Sequence, residues 1–290
     1  MIGRLRERFP PGVRYMAAAA FFFSLMSLFV KLAGRTLPTL EIVLARGAVL
    51  TVVTGAMLRR RGLSPAGERR GLLLLRGLLG FAALTCFYWA VVHLPLADAT
   101  VIQYTNPVWT ALLAVPFLGE SLRRREAAGV VASLVGVVLI ARPRFLFGAG
   151  PSALDPVHVG VALAGALLSA AAYVTVRKLG ETEDPLVIVF WFAWINLAAA
   201  VPAAAPVLEW PEPAGWGLLL AVGLSTQAAQ VAMTEGLKRE RAGKAMAVGY
   251  LQIVFAALWG LLFFGDVPDL WLAVGTGLVV AGTWAAGRRG

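Results

Sequence analysis

The sequence predicts an all-α integral membrane protein, with ten transmembrane helices arranged as two inverted five-helix repeats and both termini cytoplasmic. Three observations predict it. Only 14% of the residues are charged and the mean hydropathy is +0.77, where a soluble domain carries about 25% charged residues. The apolar residues gather into stretches long enough to cross a hydrocarbon layer, which takes about 20 residues. The basic residues collect in alternate loops.

The spans fall at 13–33, 39–58, 71–93, 97–118, 126–141, 157–176, 185–204, 214–236, 244–264 and 268–287. Arg4, Arg6 and Arg8 ahead of the first resemble a signal peptide. The apolar run that follows is longer than a secretory core of about 7–15 residues, and reads as a retained helix. The fifth span is short, with Arg142 and Arg144 snorkelling at its end. With the N-terminus inside, the outer ends hold only Lys31, Arg35, Arg142 and Arg144, while Arg46 and Arg76 lie within spans. The remainder of the 26 Lys and Arg are cytoplasmic, and the late outer loops carry Glu209, Glu212, Asp266 and Asp269. The net charge of +10 is therefore a topological signal and not a nucleic-acid footprint.

An internal repeat organises the chain. Residues 97–140 align without a gap on 243–286, an offset of 146, pairing Ala99/Ala245, Tyr104/Tyr250, Ala111/Ala257, Phe117/Phe263, Gly119/Gly265, Gly129/Gly275 and Gly136/Gly282, with Glu120 facing Asp266. Basic Arg123–Arg125 follow the first copy and acidic VPD the second. Opposite charge bias around one motif, with five spans per half, calls for halves inserted in opposite senses. The units are 1–143, a linker at 144–156, and 157–290. No loop is large enough for a catalytic or nucleotide-binding domain, and no GxxxxGK[ST] occurs.

The stretch LPLADATVIQYTNPVWTALLAVPFLGE (Leu94–Glu120) with GVVASLVGVVLIA (Gly129–Ala141), echoed by Ala242–Asp266 and Gly275–Gly282, resembles the EamA family of the drug/metabolite transporter superfamily. The resemblance covers essentially the whole chain. It implies a carrier whose central cavity is lined by spans 1–4 and 6–9, with 5 and 10 peripheral, and it favours export. Related carriers move amino acids, organic anions, sugar conjugates and other metabolites. The second copy departs from the pattern, with Gln252 for Asn106 and Ile253 for Pro107.

The polar residues inside the spans are the candidate site. Thr100, Gln103, Asn106 and Thr110 form one stripe on the fourth span. Pro107 breaks that helix near mid-depth, where irregular backbone is tolerated only against protein or a water-filled cavity. Gln103 and Asn106 read as cavity lining, although interhelical hydrogen bonding is the competing role. Tyr104 joins them through its alignment with Tyr250, and Gln252 and Gln230 complete the amide set. Trp89, Tyr173 and Trp191 offer faces for stacking. Arg46 is either a counter-ion for a substrate carboxylate or phosphate, or a structural partner of Asp98 or Glu41. Arg76 and Glu235 sit near cytoplasmic ends, where snorkelling or gating explains them. Lys31, His93, Asp98 and Glu235 are the gating or coupling set, and proton coupling is one option. His93 and His158 lack metal-ligand spacing, and neither a metal nor another cofactor is called for.

The expected function is a secondary transporter, in export mode, of amino acids or related carboxylate-bearing solutes, working by alternating access in the inner (plasma) membrane as a monomer or homodimer. A passive facilitator, or a carrier of organic anions, sugar phosphates or nucleotide-sugar-like solutes, is the alternative. A membrane-embedded enzyme would need a convergent catalytic cluster, and the sequence has none.

Overall fold

Proline and aspartate set the helix starts. Pro11, Pro156, Pro185 and Pro213 each open a helix, where a fixed φ is pre-organised and the missing N–H is no loss. Asp155 and Asp184 cap two of these by accepting the N–H of Val157 and of Leu186, both at 2.8 Å. The computed structural model describes residues 9–94, 96–147, 155–208, 210–265 and 269–287. Arg4, Arg6, Arg8, Glu209, Asp266, Arg288, Arg289 and residues 148–154 of the connector lie outside the described residues.

Among the described residues the chain is helical throughout: α1 (Pro11–Ala33), α2 (Thr39–Arg60), α3 (Arg70–His93), α4 (Leu96–Gln103), α5 (Asn106–Leu118), α6 (Arg124–Ala141), a one-turn α7 (Arg144–Phe147), α8 (Pro156–Leu179), α9 (Pro185–Ala204), α10 (Pro213–Arg239), α11 (Ala242–Gly249), α12 (Leu251–Trp259) and α13 (Leu270–Gly287). α12 runs on into a π turn, Gly260–Phe264. Eight helical stretches are long and apolar enough to cross a membrane. Two of the ten expected spans fail that measure for visible reasons. The fourth is divided into α4 and α5, each too short alone, and α6 opens with Arg124, Arg125 and Glu126. Phe117, Val131, Trp194, Leu224 and Leu262 point outward, as apolar side chains facing lipid tails do.

The 146-residue offset governs far more than residues 97–140. Shifted by it, α4 falls on α11 and α6 on α13 end to end, and α1, α2, α3 and α5 fall on α8, α9, α10 and α12 with its π turn. Packing follows the same exchange. α1 lies along α10 as α8 lies along α3, α2 crosses α9, and α5 packs on α8 as α12 packs on α1. Gly119 and Gly265, also 146 apart, end their helices at φ 66° and 70°. Glycine adopts that left-handed turn without strain, which explains the glycine of the motif in both copies.

α6 and α13 meet through glycine. A methyl group at Gly129 would come within 2.6 Å of the Gly282 carbonyl oxygen, and one at Gly136 within 2.5 Å of that of Gly275. The contacts run in opposite order along the two helices, so α6 and α13 are antiparallel. Ser133 Oγ donates weakly to the Val279 carbonyl (3.5 Å), again 146 residues away. Two antiparallel helices that exchange under one offset are related by an axis perpendicular to both. At the far end of this pair Arg142 bonds Asp269 at 2.6 Å, its side chain about half exposed.

Gly136→Ala is expected to lower the melting temperature of the purified protein, since overpacking costs about 1–3 kcal/mol. Gly277→Ala, where nothing lies within 4 Å, is the matched control and should leave it unchanged or higher, because alanine favours a helix over glycine by about 1 kcal/mol.

Candidate functional site

The break between α4 and α5 creates the site. Pro107 has no N–H, and the N–H of Val108 turns to the Thr105 carbonyl at 2.9 Å. The Tyr104 carbonyl thus loses its helical donor, Val108, and Pro107 cannot supply the tighter i−3 bond in its place. Thr105 repairs part of the turn locally, its hydroxyl donating to the Ile102 carbonyl at 2.6 Å while accepting from Trp109 Nε1 at 3.2 Å. The Tyr104 carbonyl takes its partner from the other half of the chain: the Tyr250 hydroxyl donates to it at 2.8 Å. Tyr250 is fully buried, and its ring stacks near that of Tyr104, with centroids 6.1 Å apart and planes at 26°.

The second copy breaks as well, at Tyr250 between α11 and α12, although Ile253 replaces the proline. Ile253 keeps its N–H and donates it to the Tyr250 carbonyl at 3.0 Å. That carbonyl is satisfied within its own chain segment. The Tyr104 hydroxyl is therefore not required to mirror the bond made by Tyr250.

Both breaks face one small, partly open cavity of about 60 Å³. Tyr104, Asn106 and Pro107 line it from the first break, and Met246, Gly249, Tyr250 and Gln252 from the second. α1 contributes Met16, Ala19, Ala20 and Phe23, α8 contributes Tyr173, and α10 contributes Met233. The lining is uncharged. Amide and phenol groups supply hydrogen bonds, and methionine supplies adaptable, polarisable surface. Beneath the cavity, where α5 and α8 end and α11 begins, Glu120 accepts from Arg177 Nε (3.0 Å) and from the Ala242 N–H (2.8 Å). Arg241 pairs with Glu126 at 3.2 Å and reaches Ser121 Oγ at 3.2 Å.

Of the residues singled out from sequence, Tyr104, Asn106, Pro107, Tyr173, Tyr250 and Gln252 share this cavity. Gln103 lies at the end of α4 and donates to Ser169 Oγ on α8 at 3.2 Å. Gln230 is buried on α10, one turn before Met233, and its Oε1 has no hydrogen-bond partner. Trp89 is half-exposed at the other end of α3, stacked on His93 at 4.1 Å, with His158 4.6 Å from His93. Trp191 donates to the Pro65 carbonyl at 2.9 Å, outside the cavity. Lys31 lies 3.7 Å over the Phe264 ring, and Glu235 pairs with Arg239 on the next turn. Asp98 is fully buried and neither carboxylate oxygen is hydrogen-bonded, so Arg46 does not neutralise it.

The three methionines and Phe23 escaped a search for polar residues, since an apolar residue inside an apolar span carries no distinguishing signal. Arg76, a snorkelling or gating candidate by sequence, does not snorkel: it is 3% exposed, with its guanidinium 4.2 Å over the Phe192 ring. Among the described residues no group of three or more His, Cys, Asp or Glu could hold a metal ion.

Tyr250→Phe leaves a buried carbonyl without a donor, which costs about 1–3 kcal/mol. The purified variant should melt several degrees below wild type, while Tyr104→Phe should stay close to it.

Comparison with known proteins places the chain in a family. The EamA-like transporter family model matches the chain twice, at residues 10–142 and 158–287. The pseudopaline exporter CntI of Pseudomonas aeruginosa is 34% identical over 283 residues, covering 96% of each chain. Human solute carrier family 35 member G1 is 33% identical over 291 residues, covering 96% of this chain and 79% of its own. A solved crystal structure superposes with a TM-score of 0.76 at 21% identity, covering 93% of this chain and 96% of that one, a likeness of fold. The chain belongs to the EamA-like transporter family, within the drug/metabolite transporter superfamily, and is a multi-pass membrane transporter of small molecules and not an enzyme.

Proposed function

We propose that the protein is a secondary transporter that exports small metabolites, such as amino acids or related carboxylate-bearing solutes, by alternating access. In this reading ten spans form two inverted five-helix halves, residues 1–143 and 157–290, with both termini cytoplasmic. The observation that carries it is the meeting of two broken spans at one cavity, each supplying a tyrosine and an amide: Tyr104 with Asn106, and Tyr250 with Gln252. Helix breaks at membrane depth are how carriers build binding sites, because freed backbone groups and short polar side chains replace the solute's water. The helix exchange under the 146 offset and the antiparallel α6–α13 pair support the inverted arrangement. The likeness to an exporter supports the direction.

Alternating access requires that one side be closed while the other admits solute. The bonds of Glu120 to Arg177 and to the start of α11 tie the helix ends expected on the cytoplasmic side, and suit a gate that must break for the cavity to open there. Asp98 is the coupling residue we favour. It is a buried carboxyl with no hydrogen-bond partner among the described residues, a costly arrangement unless the group binds a proton or exchanges partners during the cycle.

Asn106→Ala and Gln252→Ala are expected each to slow amino-acid counterflow in reconstituted vesicles by about 5–10-fold, since a lost hydrogen bond is worth about 1 kcal/mol or more. Their melting temperatures should stay near wild type. Unchanged counterflow in both variants would overturn the assignment of the site, and non-saturable flux without counterflow would make the protein a passive facilitator.

A further inference from the structure

Arg76 is out of balance with its surroundings. It lies six residues into α3, about 9 Å along the axis from Arg70, too deep for the position of a surface arginine. Its guanidinium rests on Phe192 of α9. Among the described residues it forms no ion pair, and its Nε has no acceptor. Burial of an unpaired cation inside a membrane protein is unfavourable, and a phenyl face recovers only part of the lost hydration.

The niche is built for this side chain. A Cβ at Gly80, one turn along α3, would collide with the guanidinium and come within 2.8 Å of the Phe192 ring. Glycine at 80 is what lets the head group lie flat there. Packing at this depth does not demand a charge, because the position 146 residues on is Val222, fully buried. α8 also lies along α3, with Gly165 against Cys86, and α8 carries Tyr173. Tyr173 also lines the central cavity. A lone buried cation thus sits on α3, the helix packed along the one whose Tyr173 lines the uncharged cavity.

We propose that Arg76 is the charge-reading residue of the transporter, receiving the carboxylate of the transported solute past Tyr173. With one guanidinium face covered by Phe192, its edge N–H groups are presented in the plane that a two-oxygen anion matches. The proposal rests on the carrier reading above, and it moves the counter-ion from Arg46 to Arg76. It also divides the labour of the site. The amides and tyrosines of the two breaks hold the body of the solute, and Arg76 selects for its charge.

The test compares acids with their neutral amides. Purified wild type, Arg76→Gln and Arg76→Lys are titrated with N-acetylleucine against N-acetylleucinamide, and with glutamate against glutamine, following the thermal shift. In wild type at least one acid should half-saturate at a concentration about tenfold or more below its amide. Arg76→Gln should abolish that preference, and Arg76→Lys should retain part of it. Equal response to acid and amide in wild type, response to neither, or an intact preference in Arg76→Gln would overturn the proposal. A purely structural brace would alter melting temperature but not the acid-to-amide ratio. Should Arg76→Gln not fold, the wild-type ratio and Arg76→Lys decide the matter. Counterflow separates this from the parent reading: saturable flux of neutral solutes with no acid preference sinks the Arg76 assignment alone, whereas no saturable flux of any solute sinks the carrier.

Discussion

A carbonyl group with no donor is the constraint from which the rest of the structure can be reasoned. Inside a bilayer water is not at hand to satisfy backbone, so a helix that stops at Gln103 and restarts at Asn106 must find a partner for what it exposes. The partner is the Tyr250 hydroxyl, 146 residues away. One bond therefore repairs the first break and locks it to the second. It fixes Tyr250 in the core, stacks two tyrosine rings, and leaves the polar side chains on either side of the join facing a common space.

The two copies are not equivalent, and the difference is chemical. Proline at 107 removes a donor that isoleucine at 253 retains. The first break depends on the opposite half, and the second does not. A strictly symmetric pair would consume both tyrosine hydroxyls in backbone repair. Here one is consumed and the other remains beside the cavity, where a solute can use it. Charge is arranged unequally too. The cavity wall is neutral, ion pairs tie the helix ends below it, and one buried guanidinium rests on Phe192 of α9.

Much of this was legible in the sequence because membrane burial writes strong patterns. Apolar runs located the helices to within a few residues. The Gly–acid motif marked turns whose positive φ glycine tolerates without strain. The polar run Gln103–Pro107 named the break, and the alignment of Tyr104 with Tyr250 identified two residues that do meet. What stayed hidden depended on direction around a helix. Trp89 and Trp191 are as aromatic as Tyr173, but only Tyr173 points inward to the cavity. Met16, Met233 and Met246 are lining residues without a polar atom to betray them. The second break carries no such mark, because α11 and α12 separate although Ile253 stands where the first copy has Pro107.

The central claim is that Asn106 and Gln252 line one cavity between the two halves and that it opens to solvent during the transport cycle. The direct measurement is thiol accessibility. Cys86 is the sole cysteine, so Cys86→Ser gives a background for Asn106→Cys, Gln252→Cys and, as the outward-facing control, Phe117→Cys, whose parent side chain is 69% exposed at the helix surface. Membranes are treated from each side with a membrane-impermeant maleimide. The account predicts that positions 106 and 252 react from a common side and that 117 does not. Labelling at 106 and 252 no faster than at 117 from either side would contradict it.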